Sequence, residues 1–366
     1  MKKYLSMMVA MMMAGSLCAC GNGEAAAANN NTSANTNAST DANASANSEN
    51  VSDGDKLQIV TTIFPEYDWV MNVIGENSEN AEVTMLLDNG VDLHSYQPTA
   101  DDILKISTCD LFIYVGGESD EWVDDALKEA TNKDMVVIDL LDVLGESVKE
   151  EEVVEGMQGE NEHEEGEEEA HEEHEDEEEG HEHEEGEVEY DEHVWLSLKN
   201  TAVLVENISE SLQTIDPDNA QTYSDNAAAY VEKLNELDSK YAEVVENAAT
   251  KTVLFGDRFP FRYLVDDYGL EYYAAFVGCS AETEASFETI TFLSQKVDEL
   301  GLPVVLTIEG DNHKIAETIV SNTQTKDQEI LTMDSMQSTT SEDVQNGASY
   351  LSIMESNLEV LTQALN

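Results

Sequence analysis

Apolar residues recur along this chain in two rhythms. Short runs of β-branched residues alternate with longer segments whose apolar positions return every three or four residues, and this alternation occurs twice. In the first half, 56–63 reads as a buried strand, and a helix carrying Trp69, Val70, Val73 and Ile74 follows Pro65. Strands are then expected at 83–87, 111–115 and 135–140, with helices at 101–107 and 122–130. In the second half, strands at 252–256, 271–277, 304–308 and 328–333 alternate with helices at 261–268, 287–300, 313–321 and 349–365. Gly269 stands where the first of these helices needs a left-handed C-terminal residue. Strands alternating with helices imply parallel βαβ units, which predicts an α/β fold of two lobes with parallel sheets.

Between the halves, Ala220, Tyr223, Ala227, Tyr230, Leu234, Leu237 and Tyr241 keep one helical face over 219–247. A single connecting helix of that length is about 43 Å long and runs along both lobes. Two shorter helices broken near Ser239 are the alternative. The expected layout is a leader at 1–20, a tether at 21–54, an N-terminal lobe at 55–218 with an irregular loop at 150–190, the connecting helix at 219–247, and a C-terminal lobe at 248–366.

The first residues carry a third pattern. Lys2 and Lys3 precede a Met-rich apolar run at 5–17, too short to span a bilayer as a helix. Leu17-Cys18-Ala19-Cys20-Gly21 resembles the bacterial lipoprotein cleavage box. That resemblance implies an extracytoplasmic protein anchored to the cell membrane by a lipid on Cys20; an ordinary secretory leader with incidental cysteines is the alternative. The stretch 21–54, rich in Asn, Ala, Ser and Thr, suits a flexible tether. Cys109 and Cys279 remain, one in each half, and their pairing is open.

Charge narrows the function. With 79 acidic and 16 basic residues the chain carries −63, which repels phosphate backbones and excludes nucleic acid as a partner. The stretch 150–192 holds 25 acidic residues and five histidines without a single Lys or Arg. It has almost nothing apolar to bury and is not expected to fold alone. His163, His171, His174, His181 and His183 are interleaved with carboxylates, the composition of an accessory metal-binding loop. A solvated acidic linker is the plainer reading.

Four polar groups fall just after expected strands or after the tract. They are Asp92-Leu-His-Ser-Tyr-Gln-Pro, Asp191-Glu-His-Val-Trp-Leu, Asp257 and Asp334, two in each half. Parallel sheets place ligands at the C-terminal ends of their strands. Convergence of a pair from each lobe puts a metal in the cleft between them. The chain has no His-Glu-x-x-His helix and no Gly-x-Ser-x-Gly elbow, so a hydrolytic enzyme is not expected.

The fragments Leu93-His94-Ser95-Tyr96-Gln97-Pro98, His193-Val194-Trp195-Leu196 and Thr332-Met333-Asp334-Ser335 resemble the metal-binding motifs of cluster A-I solute-binding lipoproteins. These are the zinc- or manganese-binding proteins of ABC importers, and the resemblance covers roughly 55–366. It implies a monomeric binding protein that delivers metal to an ABC permease and its ATPase. It also implies His94, His193 and Asp334 as metal ligands. Relatives carry His or Glu at a further position, where ungapped counting places Arg258, a permanent cation that cannot ligate. Asp257 is the expected ligand there, with Glu309 and His313 in reserve; an ion pair of Asp257 with Arg258 or Arg262 is the structural alternative. The imidazoles and the His-bearing tract favour zinc, with manganese as the alternative metal. A surface adhesin is the alternative of another class.

Overall fold

In this computed structural model the described residues are 56–158, 189–280, 284–310 and 312–366. The leader, the tether with Cys20, and the tract histidines His163, His171, His174, His181 and His183 lie outside them.

Every expected strand is present. β1 (Leu57–Thr61), β2 (Ala81–Met85), β3 (Leu111–Tyr114) and β4 (Val136–Asp139) form one parallel sheet in the order β2-β1-β3-β4. β5 (Thr252–Phe259), β6 (Glu271–Val277), β7 (Val304–Ile308) and β8 (Glu329–Met333) form a second in the same relative order, β6-β5-β7-β8. The first lobe carries α1 (Phe64–Ile74), α2 (Ala100–Thr108), α3 (Trp122–Lys128) and α4 (Leu140–Leu144). Next come α5 (Leu198–Ile215) and α6 (Ala220–Asn247). The second lobe carries α7 (Arg262–Tyr268), α8 (Phe287–Leu300), α9 (Lys314–Asn322), α10 (Ser341–Gln345) and α11 (Tyr350–Ala364). Both lobes therefore have the α/β architecture that the two rhythms predict. β5 runs to Phe259, beyond the expected 252–256, because its register against β6 slips between Phe255 and Arg258 and then resumes.

Local chemistry sets the helix ends. Glu66, in the first turn of α1, accepts from Thr62 N (2.7 Å) and Ile63 N (3.3 Å), satisfying donors the helix leaves open. Thr99 and Asp102 form a reciprocal capping box on α2. Gly269, at φ 67°, closes α7 as expected.

α6 is continuous through Ser239, and its 28 residues make a rod of about 42 Å. Tyr223, Ala227, Tyr230, Leu234, Leu237, Tyr241 and Val245 form its buried face. Hydrogen bonds fasten it to both lobes. Asn226 donates to Val73 O (3.0 Å) and Tyr230 Oη to Asp68 Oδ2 (3.1 Å) on α1. Tyr241 Oη donates to Met354 O (2.6 Å), and Tyr268 Oη reaches back to Asp238 Oδ1 (3.0 Å), on the second-lobe side. Trp69, Trp195, Tyr241, Phe259, Tyr263 and Tyr350 belong to one continuous apolar core spanning both lobes. A smaller cluster around Leu254, Phe276, Leu293 and Val305 covers the opposite face of the second sheet. The lobes therefore share packing as well as a connector, which restricts hinge motion.

Cys109 and Cys279 are both free thiols. Cys109 is packed in the first lobe, its Sγ 3.2 Å from Ile106 O and 3.3 Å from Met135 Sδ.

Asp68 generates a pH prediction. Burial outweighs its bonds to Tyr230 and the Tyr350 backbone, and pushes the carboxyl up to about 6, against an ordinary 3.8. With the folded value above the unfolded one, the stability linked to this group is fully present below about pH 4. It is lost as pH rises through about 6. Asp68→Asn keeps an acceptor for Tyr230 and removes the buried charge. It is expected to raise unfolding free energy at pH 7 by on the order of 2 kcal/mol and to flatten the profile between pH 4 and 7. Urea unfolding across that range checks this, and an unchanged profile contradicts it.

Candidate metal centre

The tight turn Leu93–Ser95, beyond the end of β2, carries His94. Asp92 caps this turn, its Oδ1 accepting from His94 N at 3.0 Å, while buried Leu93 anchors it to the core. The His94 Nδ1 lies 2.8 Å from Ser119 Oγ. Its Nε2 faces inward.

His193 is fully buried in the segment leading from the tract into α5. Asp191 Oδ1 accepts from both His193 N (2.9 Å) and His193 Nδ1 (3.0 Å). That bond places the Nδ1 proton against the carboxylate and leaves Nε2 as the open nitrogen. The second lobe holds this segment. Tyr263 Oη donates to Asp191 O (2.7 Å), Trp195 Nε1 to Ser335 O (2.8 Å) and Tyr350 Oη to Trp195 O (2.6 Å).

The two Nε2 atoms stand 3.2 Å apart. Two imidazoles bound to one tetrahedral zinc, each at about 2.05 Å, have nitrogens separated by roughly 3.3 Å. Two buried lone pairs at this distance repel unless a proton or a cation lies between them. Burial and the neighbouring His193 depress the His94 ring to about 3, so it is neutral at ordinary pH. For His193, burial opposes the charge, yet Asp191, Glu192 and Asp92 raise the ring above the ordinary 6.5.

Among the described residues, His94, His193 and Cys279 form the group whose ligand atoms all lie within 4.8 Å of one another. Cys279 is a residue the sequence reading did not single out as a ligand. It stands just past the end of β6, the same kind of position that drew attention to His94, Asp257 and Asp334.

Asp257 lies elsewhere. Its Oδ1 accepts from Arg258 N (2.9 Å) and its Oδ2 from Ile308 N (3.4 Å). The bulge in β5 directs it toward the sheet and His313. Arg258 instead points across the cleft and pairs with Asp92, Nη2 to Oδ2 at 2.6 Å. Burial opposes the Asp92 charge, but Arg258 and His94 hold its carboxyl below the usual range. Neither ion pair offered as the alternative for Asp257 forms: Arg258 pairs with Asp92 and Arg262 binds Glu152 at 3.1 Å.

Asp334 follows β8 and is half-buried, its Oδ1 accepting from Met336 N at 2.8 Å. Burial and then Glu309 push its carboxyl up to about 6. Glu309 is a clamp: it accepts from Ser335 N (2.7 Å), Ser335 Oγ (2.6 Å) and Gln337 N (3.2 Å). These bonds hold Met336 at φ 65°, which costs about 1–2 kcal/mol for a residue with a Cβ. His313 begins α9, where its carbonyl accepts from Glu317 N.

A cavity of about 580 Å³ opens onto His94 and Cys279. Glu118, Glu121, Glu151, Glu189 and Glu192 line it. Glu192 Oε1 accepts from Ser119 N (2.8 Å), while its Oε2 is buried without a hydrogen-bond partner, 3.4 Å from His94 Nδ1. Two described parts of the acidic tract, around Glu151 and Glu189, pair beside this cavity. Glu151 N donates to Glu189 O, and Asp191 N to Lys149 O, both at 2.9 Å. The irregular loop expected from 150 thus has described residues as far as 158 and again from 189.

Residues 59–364 match the protein family described as ZnuA, zinc-uptake complex component A, periplasmic. Zinc-binding lipoprotein AdcA of Streptococcus pneumoniae R6 is 33% identical over 320 residues, covering 86% of this chain and 57% of the relative. The chain thus spans little more than half the length of the streptococcal relatives it matches. High-affinity zinc uptake system protein ZnuA of Bacillus subtilis is 30% identical over 314 residues, covering 86% and 89%. The crystal structure of the Zn(II)-bound ZnuA-like domain of S. pneumoniae AdcA superposes with a TM-score of 0.63 at 29% identity, covering 85% of this chain and 99% of that one.

Because Asp191 orients His193, Asp191→Ala is expected to weaken divalent-metal binding about 10- to 100-fold while leaving far-ultraviolet circular dichroism unchanged. Calorimetric titration checks this; wild-type affinity contradicts it.

Proposed function

The chain belongs to the zinc-uptake component A family, and on that premise we propose that it captures zinc outside the cytoplasm and delivers it to an ABC permease and its ATPase. The observation that carries the reading is the 3.2 Å approach of the His94 and His193 Nε2 atoms. Zinc occupies the space between them as cargo. Asp334 supplies a second-lobe carboxylate, because a cation relieves the repulsion between half-buried Asp334 and its neighbour Glu309. Asp257 would have to surrender both of its backbone hydrogen bonds to join them. The protein is held at the membrane by a lipid on Cys20; no helix among the described residues is long and apolar enough to cross a bilayer.

The acidic cavity concentrates cations at the entrance, and the carboxylates of the tract add to the negative charge that attracts them. In this reading the tract's histidines gather zinc and are accessory to the cleft.

His94→Ala and His193→Ala are each expected to lower zinc affinity by more than about 100-fold, beyond the 10- to 100-fold cost of losing an outer partner. Asp334→Ala is expected to weaken it less. Calorimetry on protein lacking 159–188 isolates the cleft, and wild-type affinity in either histidine variant contradicts the assignment.

Zinc requires neutral imidazole, so binding is expected to weaken as pH falls through the raised His193 value. The loss begins above 6.5, the ordinary imidazole value. Competition titrations from pH 8 to 5 read this directly, and an affinity constant to pH 5 contradicts it. Removing 159–188 is expected to slow uptake at limiting zinc; equal uptake at every zinc concentration removes the gathering role and leaves the cleft standing.

A further inference from the structure

We propose that the Cys279 thiolate is a protein ligand of the cleft, filling the coordination position at which this chain carries Arg258. This rests on the zinc reading above and deepens it. Arg258 cannot bind a cation and is already engaged, pairing with Asp92 at 2.6 Å. The Cys279 Sγ lies within 4.8 Å of one ring nitrogen of His94 and one of His193. A nitrogen and a sulfur on one tetrahedral zinc are roughly 3.6 Å apart, so a shift of about 1 Å or a change of rotamer completes the contact.

The loop is built to hold the thiol there. Gly278 lets the backbone press against His193: a Cβ at that position would stand 2.9 Å from Cε1 and 3.0 Å from Nδ1 of that ring. The next residue is pinned by its own amide, Cys279 N donating to Glu151 Oε1 at 3.0 Å. No disulfide consumes the sulfur. Glu192, 2% exposed, lines the same cavity and keeps its Oε2 3.4 Å from His94 Nδ1 without a hydrogen-bond partner. A carboxylate beside Nδ1 favours a proton on that nitrogen and leaves His94 Nε2 open to a metal, as Asp191 does for His193.

On binding, the Cys279 S–H bond breaks, the sulfur donates its electron pair to the metal, and the proton leaves to solvent. No electron is transferred. A thiolate beside two imidazoles makes a softer site than histidine with carboxylate alone, and selects zinc over manganese.

Cobalt(II) substitution tests the inference. One equivalent of cobalt added to the full chain is expected to give tetrahedral visible bands together with a near-ultraviolet thiolate-to-cobalt charge-transfer band. Cys279→Ala and Cys279→Ser are expected to lose the charge-transfer band, retain the visible bands, and bind zinc at least about tenfold more weakly. Equimolar zinc should also protect Cys279 from iodoacetamide. Tetrahedral visible bands in the wild type without charge transfer, or a charge-transfer band surviving in Cys279→Ala, overturn the proposal. Visible bands unaffected by His94→Ala would overturn the zinc reading itself, a distinguishable failure.

Discussion

The bond from His193 Nδ1 to Asp191 Oδ1 is the constraint on which the rest of the centre depends. It fixes the tautomer of a fully buried ring and turns Nε2 toward His94. The bond is effective because Asp191 is itself fixed: Tyr263 donates to its carbonyl, and Trp195, two residues beyond His193, is tied to Ser335 and Tyr350. All three anchors come from the second lobe. A segment belonging by sequence to the first lobe is thus positioned by the other, and the two lobes jointly set the 3.2 Å gap between the imidazoles. α6 makes the arrangement durable, bonding to α1 through Asn226 and Tyr230 and to α11 through Tyr241.

The electrostatics follow from the same arrangement. The cavity over His94 and Cys279 is lined by carboxylates and draws cations to the imidazoles. Away from the cavity lining, Arg258 neutralises Asp92 across the cleft. Of the acidic tract's described residues, Glu151 and Glu189 are joined beside the cavity, while Gln158 is bonded to Ala275 and Ser286.

Much of this was legible in the residues. Apolar runs marked the strands, and those buried on both faces, such as β3 and β7, lack polar alternation. The spacing from Ala220 to Tyr241 marked the connecting helix. α5 shows the same spacing at Leu198, Thr201, Leu204, Val205, Ile208 and Leu212, although no helix was expected there. The positions of His94, His193 and Asp334 after strands or the tract were legible too. The aim of the Asp257 side chain was not, because it depends on a register slip between Phe255 and Arg258 that local composition does not encode. The approach of Cys279 to His193 depends on the Cβ-free contact at Gly278, a tertiary fact. Strand-end position was the one signal that could have found it.

The central claim is that His94 and His193 share one zinc ion through their Nε2 atoms. Anomalous diffraction at the zinc edge from zinc-loaded crystals tests it most directly. The account predicts a single strong peak in the cleft, about 2.0–2.1 Å from each Nε2. A peak that leaves either nitrogen unbound, whether beside Asp257 and His313 or confined to the 159–188 stretch, would contradict it.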